Sequence, residues 1–307
     1  AAVAGGIPII KALREGLTAN RIDWIAGIIN GTTNFILSEM RSKGLDFATV
    51  LKEAQRLGYA EADPTFDIEG VDAAHKATLM SAIAFGTPVQ FERAHVEGIT
   101  QLQAADIAYA EQLGYRIKLL GITRRREQGL ELRVHPTLVP AQRLIASVEG
   151  AMNAVVVQAD AVGTTLYYGK GAGSEPTASA VVADLVDIAR LQTAEMHHRV
   201  PSLAFQPGSV ADTPILPIGE VVTGFYLRLR VLDEPGVLAR ITTILADRGI
   251  SIDALLQRQG GDVQNQTDVI ILTHDTVEGR MRDGIAQMQA LPTVTAPIVS
   301  LRKEELA

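Results

Sequence analysis

The sequence predicts an α+β protein, with a mixed-sheet domain over residues 1–195 and a ferredoxin-like βαββαβ domain over residues 223–304. Helix-like and strand-like stretches both occur in the first domain. Four prolines then interrupt every pattern in residues 196–222, which indicates a linker. The remaining residues follow the order strand, helix, strand, strand, helix, strand, which is typical of a small α+β domain.

Proline, glycine and aspartate mark the ends of the first elements. Pro8 is a favourable first helical residue, and the helix that it opens ends at Gly16. A strand-like stretch follows, and then a helix with Gly44 beyond its end. The next helix has Asp46 as its N-cap and Gly58 as its stop.

Further helices and strands follow an acidic loop. One helix is predicted from about Val71 to Phe85, and another over residues 102–118. The strand-like runs that come next are "IKLLGITR", "LELRVHPTLV" and "NAVVVQAD". The glycine-rich stretch "GTTLYYGKGAGSEP" is predicted to be a loop, and it leads into a helix over residues 176–191.

The C-terminal domain begins with strict alternation. Phe225, Leu227, Leu229 and Val231 fall on one face of a strand. An amphipathic helix closed by Gly249 follows it. Two strands, a second helix and a last strand complete the domain.

Composition excludes several classes of function. The 307 residues suffice for about two domains. A hydrophobic content of 47% is enough for each domain to bury a hydrophobic core. A net charge of −7 argues against a nucleic-acid groove. The absence of cysteine excludes disulfides and a thiolate nucleophile and fits a cytoplasmic protein. No apolar run approaches the roughly 18 residues of a membrane span, and neither a membrane span nor a signal peptide is expected.

Acidic residues crowd the loop before the helix that starts near Val71. The stretch "LGYAEADPTFDIEGVDAAHK" contains the carboxylates Glu61, Asp63, Asp67, Glu69 and Asp72, followed by Lys76. Carboxylates favour helix N-termini, where the dipole stabilises each by about 0.3–1 kcal/mol. The stretch is therefore either a capped, solvated helix start or a pocket.

The position of Lys76 raises the case for a pocket. On a helix of 3.6 residues per turn, Lys76 shares its face with apolar side chains. The apolar set is Ala73, Leu79, Met80 and Ile83, and the polar set on the opposite side is His75, Thr78 and Ser81. A lysine on an apolar face is paired or lines a cleft, because burying an unpaired ammonium is costly. Asp72, one turn earlier, is its natural partner, and a desolvated lysine is a common general acid or base.

These residues resemble a known family. "AGGIPII", "NGTTNFIL", the acidic stretch with its lysine, "VHPTLVP" and "YYGKGAGSEPTASAVVADL" together resemble the catalytic half of homoserine dehydrogenase. The last residues resemble an ACT domain, a regulatory module that often binds amino acids. The resemblance implies interconversion of L-homoserine and L-aspartate 4-semialdehyde with NAD or NADP, in the aspartate pathway to threonine, methionine and isoleucine.

The resemblance also implies roles for single residues. Lys76 corresponds to the proton donor to the aldehyde oxygen, and Asp72 to the acid beside the substrate hydroxyl. Glu61 corresponds to the carboxylate that receives the substrate ammonium and approaches the cofactor, and Gly58 lies near the nicotinamide. The other substrate-lining positions are Asp67, Gly31, Thr32 and Tyr59.

Two loops match further binding positions of the family. Gly171 and Gly173 of "GKGAG" place backbone N–H groups near the cofactor or cover it, although a tight turn with positive φ explains the same glycines. This loop is not a Rossmann fingerprint. Val3, Gly5 and Ile7 match main-chain ligands of a sodium ion, and the alternative is an ordinary Gly-Gly turn before a helix.

The sequence departs from the family pattern at its start. The N-terminal nucleotide-binding domain and a second catalytic lysine of the family are missing from it. We therefore expect a fragment or part of a longer chain, whose helix 176–191 would complete that domain. These 307 residues alone are expected neither to bind NAD or NADP properly nor to turn over.

The C-terminal domain offers a regulatory site. In "DEPGVLARIT", Asp233, Gly236 and Val237 form a strand-to-helix turn whose amides can take a ligand carboxylate. L-Threonine is the expected effector, and the alternative is a dimerisation module without a ligand. A homodimer or homotetramer is expected, with no nucleic-acid or membrane partner.

Two other functions are alternatives to the enzyme. One is a non-catalytic amino-acid sensor on an enzyme-like scaffold, but retention of Lys76, Asp72 and Glu61 together favours the enzyme. The other is a fusion with an upstream aspartate kinase. It fits less well, because the regulatory domains of such fusions precede the dehydrogenase.

Overall fold

The computed structural model describes residues 2–192, 195, 199–257 and 265–306. The helices are α1 (Ile9–Lys11), α2 (Gly31–Lys43), α3 (Phe47–Arg56), α4 (Thr65–Ile68), α5 (Val71–Phe85), α6 (Ala104–Gln112), α7 (Ser174–Leu191), α8 (Val237–Ala246) and α9 (Glu278–Gln289). The strands are β1 (Ile22–Ile28), β2 (His95–Val96), β3 (Tyr115–Arg125), β4 (Leu130–Pro140), β5 (Met152–Ala159), β6 (Gly163–Lys170), β7 (Val222–Leu232), β8 (Ile252–Gln257), β9 (Gln266–Thr273), β10 (Thr276–Val277) and β11 (Val299–Lys303). The predicted α+β class is confirmed.

A single mixed sheet runs through both parts of the chain. Its strand order is β6-β5-β1-β3-β4-β11-β7-β9-β8. Neighbours along this path are antiparallel except β4 and β11, which pair in parallel through Arg302↔Thr137 and Lys303↔Leu138. The strands β11-β7-β9-β8 have the ferredoxin-like order that the sequence predicts. The last strand therefore joins the two parts into one sheet.

The faces of the C-terminal strands follow the predicted alternation. Phe225, Leu227, Leu229 and Val231 of β7 lie in one buried cluster with side chains of α8 and α9. Alternate residues of a strand point to one face, so both helices cover this face of the sheet.

In the part of the sheet that the first domain supplies, β1 lies between β3 and β5. α5 packs across β3 and β4. Small residues permit a close approach, since a Cβ atom added to Gly121 of β3 would lie 3.1 Å from the Cβ of Ala77. Ile29, just beyond β1, shares a core with Ala73 and Ala77 of α5. The start of α5 is thereby held beside the end of β1.

Two local predictions were wrong. Residues 163–170 of the predicted glycine-rich loop form β6, which pairs with β5 from Ala159↔Gly163 to Met152↔Lys170. The threonines and tyrosines of this stretch favour a strand when a neighbouring edge is available. The helix predicted over residues 102–118 ends at Gln112, because Gly114 has a φ of 84° and β3 begins at Tyr115.

The part of the predicted linker that the structure describes packs on the first domain. The ring of Phe205 lies against Gly86, and Gly86 O accepts a hydrogen bond from Ala211 N at 2.9 Å. Leu130 pairs with Ile215. Residues 196–198 of the linker lie outside the described residues. No helix among the described residues is long and apolar enough to cross a membrane.

Candidate active site

Lys76 lies on the second turn of α5 and joins that helix to the end of β1. Its Nζ donates to Asp72 Oδ2 at 2.6 Å and to Ile29 O at 3.0 Å. Residues four apart on a helix face each other, so Asp72 reaches the lysine from the preceding turn. The side chains of Lys76 and Asp72 are 23% and 20% exposed, which leaves the pair accessible to a small molecule.

Asn30 connects this pair to a second carboxylate, and the sequence did not indicate it. Its Nδ2 donates to Asp67 Oδ1 at 2.7 Å and to Asp72 Oδ2 at 2.9 Å. Its Oδ1 accepts from Thr33 N at 2.8 Å and caps α2. Asparagine before a helix is a recognisable N-cap, but a cap signal does not reveal what the amide nitrogen contacts.

The loop from Gly58 to Glu61 is held next to the start of α2. Thr32 Oγ1 donates to Tyr59 O at 2.7 Å, and the Tyr59 ring stacks on Phe35 with centroids 4.4 Å apart. Gly58 has a φ of 79°, a conformation that favours glycine. The exposed Glu61 carboxylate makes no hydrogen bond or ion pair with any described residue, so it is open to a ligand.

The predicted polar side of α5 is not a solvent face. Thr78 and Ser81 are 1% and 2% exposed. Thr78 Oγ1 bonds Ala74 O, and Ser81 shares a hydrogen bond with Thr123 of β3 at 2.9 Å. Only His75 of that set is exposed. Small polar side chains are buried here because each has a hydrogen-bond partner. The face of the helix on which a polar residue lies therefore did not by itself mark Lys76 as a site residue.

The glycine loop after β6 packs against the N-terminal loop. Gly6 N donates to Lys170 O at 3.1 Å, and a Cβ added to Gly5 would lie 2.2 Å from Gly171 O. A Cβ on Gly171 would lie 2.1 Å from the Asn153 side chain, and Gly173 has a φ of 119°. Packing against Asn153 therefore favours glycine at Gly171, and the positive φ favours it at Gly173, without any cofactor.

A buried lysine, also missed from sequence, supports the start of α2. Lys118 Nζ donates to Val148 O at 2.5 Å and to Asn34 Oδ1 at 3.2 Å. Burial lowers the pKa of Lys118 to about 8, and Glu149 opposes that shift. Ala151, in the loop that Lys118 ties down, places its carbonyl 2.9 Å from where a Cβ of Gly31 would be. Substitution of Gly31 would thus push on this loop.

The proposed sodium loop has an unusual backbone. Ala4 and Gly5 have φ of 54° and 48°, and Val3 and Ile7 are buried. Consecutive residues with positive φ are uncommon and often mark functional turns. The described residues contain no cluster of three or more histidines or carboxylates suited to a metal. A cation here would therefore rely on main-chain oxygens, which suit a hard ion.

The predicted regulatory residues line one cleft of about 340 Å³. Asp233, Gly236 and Val237 form its strand-to-helix edge. Gly236 is the N-cap of α8 with a φ of 90° and supplies no side-chain cap. Gln257 Nε2 donates to Asp233 Oδ1 at 3.2 Å across the opening. The N-terminus of α8 and the Asp233 carboxylate thus lie on the same cleft, as an amino-acid ligand requires.

Comparison with known proteins identifies relatives over the whole chain. A family model described as homoserine dehydrogenase matches residues 8–186, and one described as ACT domain matches residues 225–292. Homoserine dehydrogenase of Pseudomonas aeruginosa is 60% identical over 100% of this chain and 70% of its own length.

Solved structures agree with these relatives. A homoserine dehydrogenase from Thiobacillus denitrificans superposes with a TM-score of 0.95 at 68% identity, over 99% of this chain and 69% of that one. A hyperthermophilic archaeal homoserine dehydrogenase mutant in complex with NADPH has a TM-score of 0.54 at 30% identity, over 63% of this chain and 55% of that one.

Proposed function

The chain belongs to the homoserine dehydrogenase family and is an oxidoreductase with an ACT domain, and we propose that Lys76 and Asp72 are the groups with which it interconverts L-homoserine and L-aspartate 4-semialdehyde. The observation that carries this proposal is the hydrogen-bonded series Ile29 O, Lys76, Asp72, Asn30 and Asp67 at the meeting point of β1, α4 and α5. Identity over the whole chain favours the enzyme over the amino-acid sensor.

Lys76 is placed to move the proton. An ammonium has three donors, and two of them go to Asp72 and Ile29 O. The third is available to the oxygen of the aldehyde. As that oxygen gains negative charge during reduction, proton donation from Nζ stabilises it. In the oxidation of homoserine the neutral amine takes the hydroxyl proton back.

Carboxylates recognise the amino group of the substrate. The Glu61 carboxylate has no partner among the described residues and is proposed to receive the ammonium, and Asp67 and Asp72 add negative charge at the Asn30 amide. Gly31, Thr32 and Tyr59 are proposed to line the substrate site, and the hydrogen bond from the Thr32 hydroxyl to Tyr59 O holds two of them together. A zwitterion is oriented by opposite charges at defined positions.

When bound, the dinucleotide would supply the hydride as NADH or NADPH in reduction and accept it as NAD⁺ or NADP⁺ in oxidation. Gly58, Glu61, Gly171 and Gly173 are the residues proposed to contact it. One observation supports the fit. Asn153 Oδ1 is buried beside Gly171 and has no hydrogen-bond partner among the described residues. Such an acceptor is costly unless a ligand or water donates to it.

Turnover is proposed to require a nucleotide-binding domain in addition to residues 1–307. Helix α7, proposed to complete that domain, supports this inference because it exposes apolar side chains along its length. Val182, Leu185 and Ile188 are 56%, 59% and 61% exposed. Turnover by a preparation verified to contain only these 307 residues would overturn this point.

The loop from Val3 to Ile7 is proposed to bind sodium, and the ACT cleft to bind L-threonine as a feedback inhibitor. The amino-acid products of the pathway are threonine, methionine and isoleucine. The enzyme is proposed to be a cytoplasmic homodimer or homotetramer. None of these points is needed for the role of Lys76.

The direct test of the function is L-homoserine-dependent reduction of NAD⁺ and NADP⁺ at alkaline pH. The assay uses the protein with its nucleotide-binding domain. Formation of the reduced dinucleotide is expected only when L-homoserine is present. A folded protein without this activity would contradict the proposal.

A further inference from the structure

Asn30 serves two structures with the two ends of one amide. Its oxygen caps α2 through Thr33 N. Its nitrogen has two hydrogens, and they go to Asp67 on α4 and Asp72 on α5 at 2.7 and 2.9 Å. Asn30 is 5% exposed, so water does not substitute for these contacts. Both N–H groups of the side chain thus donate to carboxylates of the proposed substrate site.

The two carboxylates depend unequally on this amide. Asp72 also receives a hydrogen bond from Lys76, at 2.6 Å. Asp67 has no ion pair, and in the part of the chain that the structure describes its carboxylate accepts a hydrogen bond only from Asn30. Two like charges that converge on one nitrogen repel each other, and a shared donor offsets that repulsion.

The position of Asn30 on the backbone makes it a rigid reference point. It follows Ile29, whose carbonyl accepts from Lys76, and it comes two residues after β1, which is hydrogen-bonded on both sides. Sites held by strand ends are more precise than sites on free loops. One dipeptide therefore contacts Lys76, Asp72 and Asp67 together.

We propose that Asn30 is a positioning residue that sets the separation of Asp67 and Asp72 and thereby holds both carboxylates where L-homoserine binds. This role rests on the proposed function. It differs from helix capping, because it uses the amide nitrogen and not the cap oxygen.

Asn30→Ser separates the two roles. Serine retains a cap oxygen and replaces the two amide N–H donors by one hydroxyl on a shorter side chain, which cannot bridge both carboxylates. In the active holoenzyme, kcat/KM for L-homoserine is expected to fall about 10- to 100-fold, mainly through KM, because small displacements of binding groups cost that much. The KM for NADP⁺ stays near its wild-type value. Asp46→Ser, at the N-cap of α3, is the matched control and leaves both constants unchanged.

A double-mutant cycle with Asp67→Asn tests the mechanism. If Asn30 acts through Asp67, the loss caused by Asn30→Ser is smaller in the Asp67→Asn background than in the wild type. Losses that simply multiply, or an Asn30→Ser enzyme with wild-type kcat/KM, would overturn the positioning role while the proposed function stands. Wild-type holoenzyme without L-homoserine turnover would instead overturn the proposed function, and this inference with it.

Discussion

Arg302 and Glu278 form a buried bidentate ion pair between β11 and α9, with Nε–Oε2 at 2.7 Å and Nη2–Oε1 at 2.6 Å. Arg302 also donates to Glu97 at 2.8 and 2.9 Å. The residues after Glu97 pack on the loop between Asp67 and Asp72, where Ile99 N donates to Ile68 O at 2.8 Å. The Arg302 guanidinium thus joins the ACT domain to the segment from Glu97 to Ile99, which packs beside the proposed substrate site.

Replacing Arg302 with methionine is expected to lower the free energy of unfolding by about 3–5 kcal/mol, because it leaves the Glu278 carboxylate buried without its main partner. Urea unfolding measures the change. The matched control is Arg282→Met, which removes the other arginine that pairs with Glu278. The Arg282 side chain is 60% exposed, so its loss costs about 0–1 kcal/mol. Equal losses in the two variants would contradict the account.

Acid is expected to weaken the ion pairs of Glu304 with Arg133 and Arg124, and that of Glu97 with Arg302. Burial alone would raise the pKa of Glu304, but Arg133 and Arg124 outweigh it and lower that pKa. In Glu97, hydrogen bonds from His95 and Arg302 likewise outweigh burial and lower the pKa.

The sign of the pH effect follows from these lowered pKa values. A carboxylate whose folded pKa is below its unfolded value of about 4.3 contributes its full stability above that pH and loses it as the pH falls further. The free energy of unfolding, measured in urea, should therefore decline below about pH 4.5. Glu304→Gln should flatten that decline, and an unchanged slope in this variant would be inconsistent with the assignment.

Sodium is expected to stabilise the protein specifically. A ligand that binds only the folded state raises Tm with its concentration. Thermal unfolding in sodium chloride is compared with choline chloride at the same ionic strength. A higher Tm in sodium supports the loop from Val3 to Ile7 as a cation site. Coincident Tm values across the salt series would exclude the site.

L-Threonine is expected to bind the cleft at Asp233 and Gly236. Asp233→Ala removes the carboxylate proposed to pair with the ligand ammonium, and an affinity loss of about 10-fold or more is expected. Calorimetry on the wild type, Asp233→Ala and the control Asp247→Ala measures it. Asp247 ends α8 and does not line the cleft, so its variant should bind normally. If the wild type takes up no threonine, the ACT domain serves another purpose.

Local spacing predicted part of the site and missed the rest. The Lys76–Asp72 pair was predictable because both residues lie on one helix, four positions apart. The contacts of Asn30 join residues 37 and 42 positions apart, and no local pattern encodes them. Lys118 lies in a run of β3 that is buried on both faces. The alternation of polar and apolar residues that marks a half-exposed strand therefore could not predict that this lysine is buried.

In the fold, too, local features were predictable and long-range pairings were not. Caps and periodicity are local, and they predicted α5 and the C-terminal βαββαβ order correctly. Strand formation by residues 163–170 depends on the edge of β5, and the parallel pairing of β4 with β11 joins residues far apart in sequence. Such pairings follow from tertiary context that a single sequence does not display.

Proton transfer by Lys76 is tested most directly by the kcat/KM of Lys76→Met for L-homoserine. Loss of a general acid–base group typically costs about 10²–10⁴-fold. A fall of at least that size is expected, with the urea unfolding curve nearly unchanged. Lys52→Met, at an exposed position of α3, should retain wild-type kinetics. A folded Lys76→Met enzyme with a near-normal rate would remove Lys76 from the mechanism.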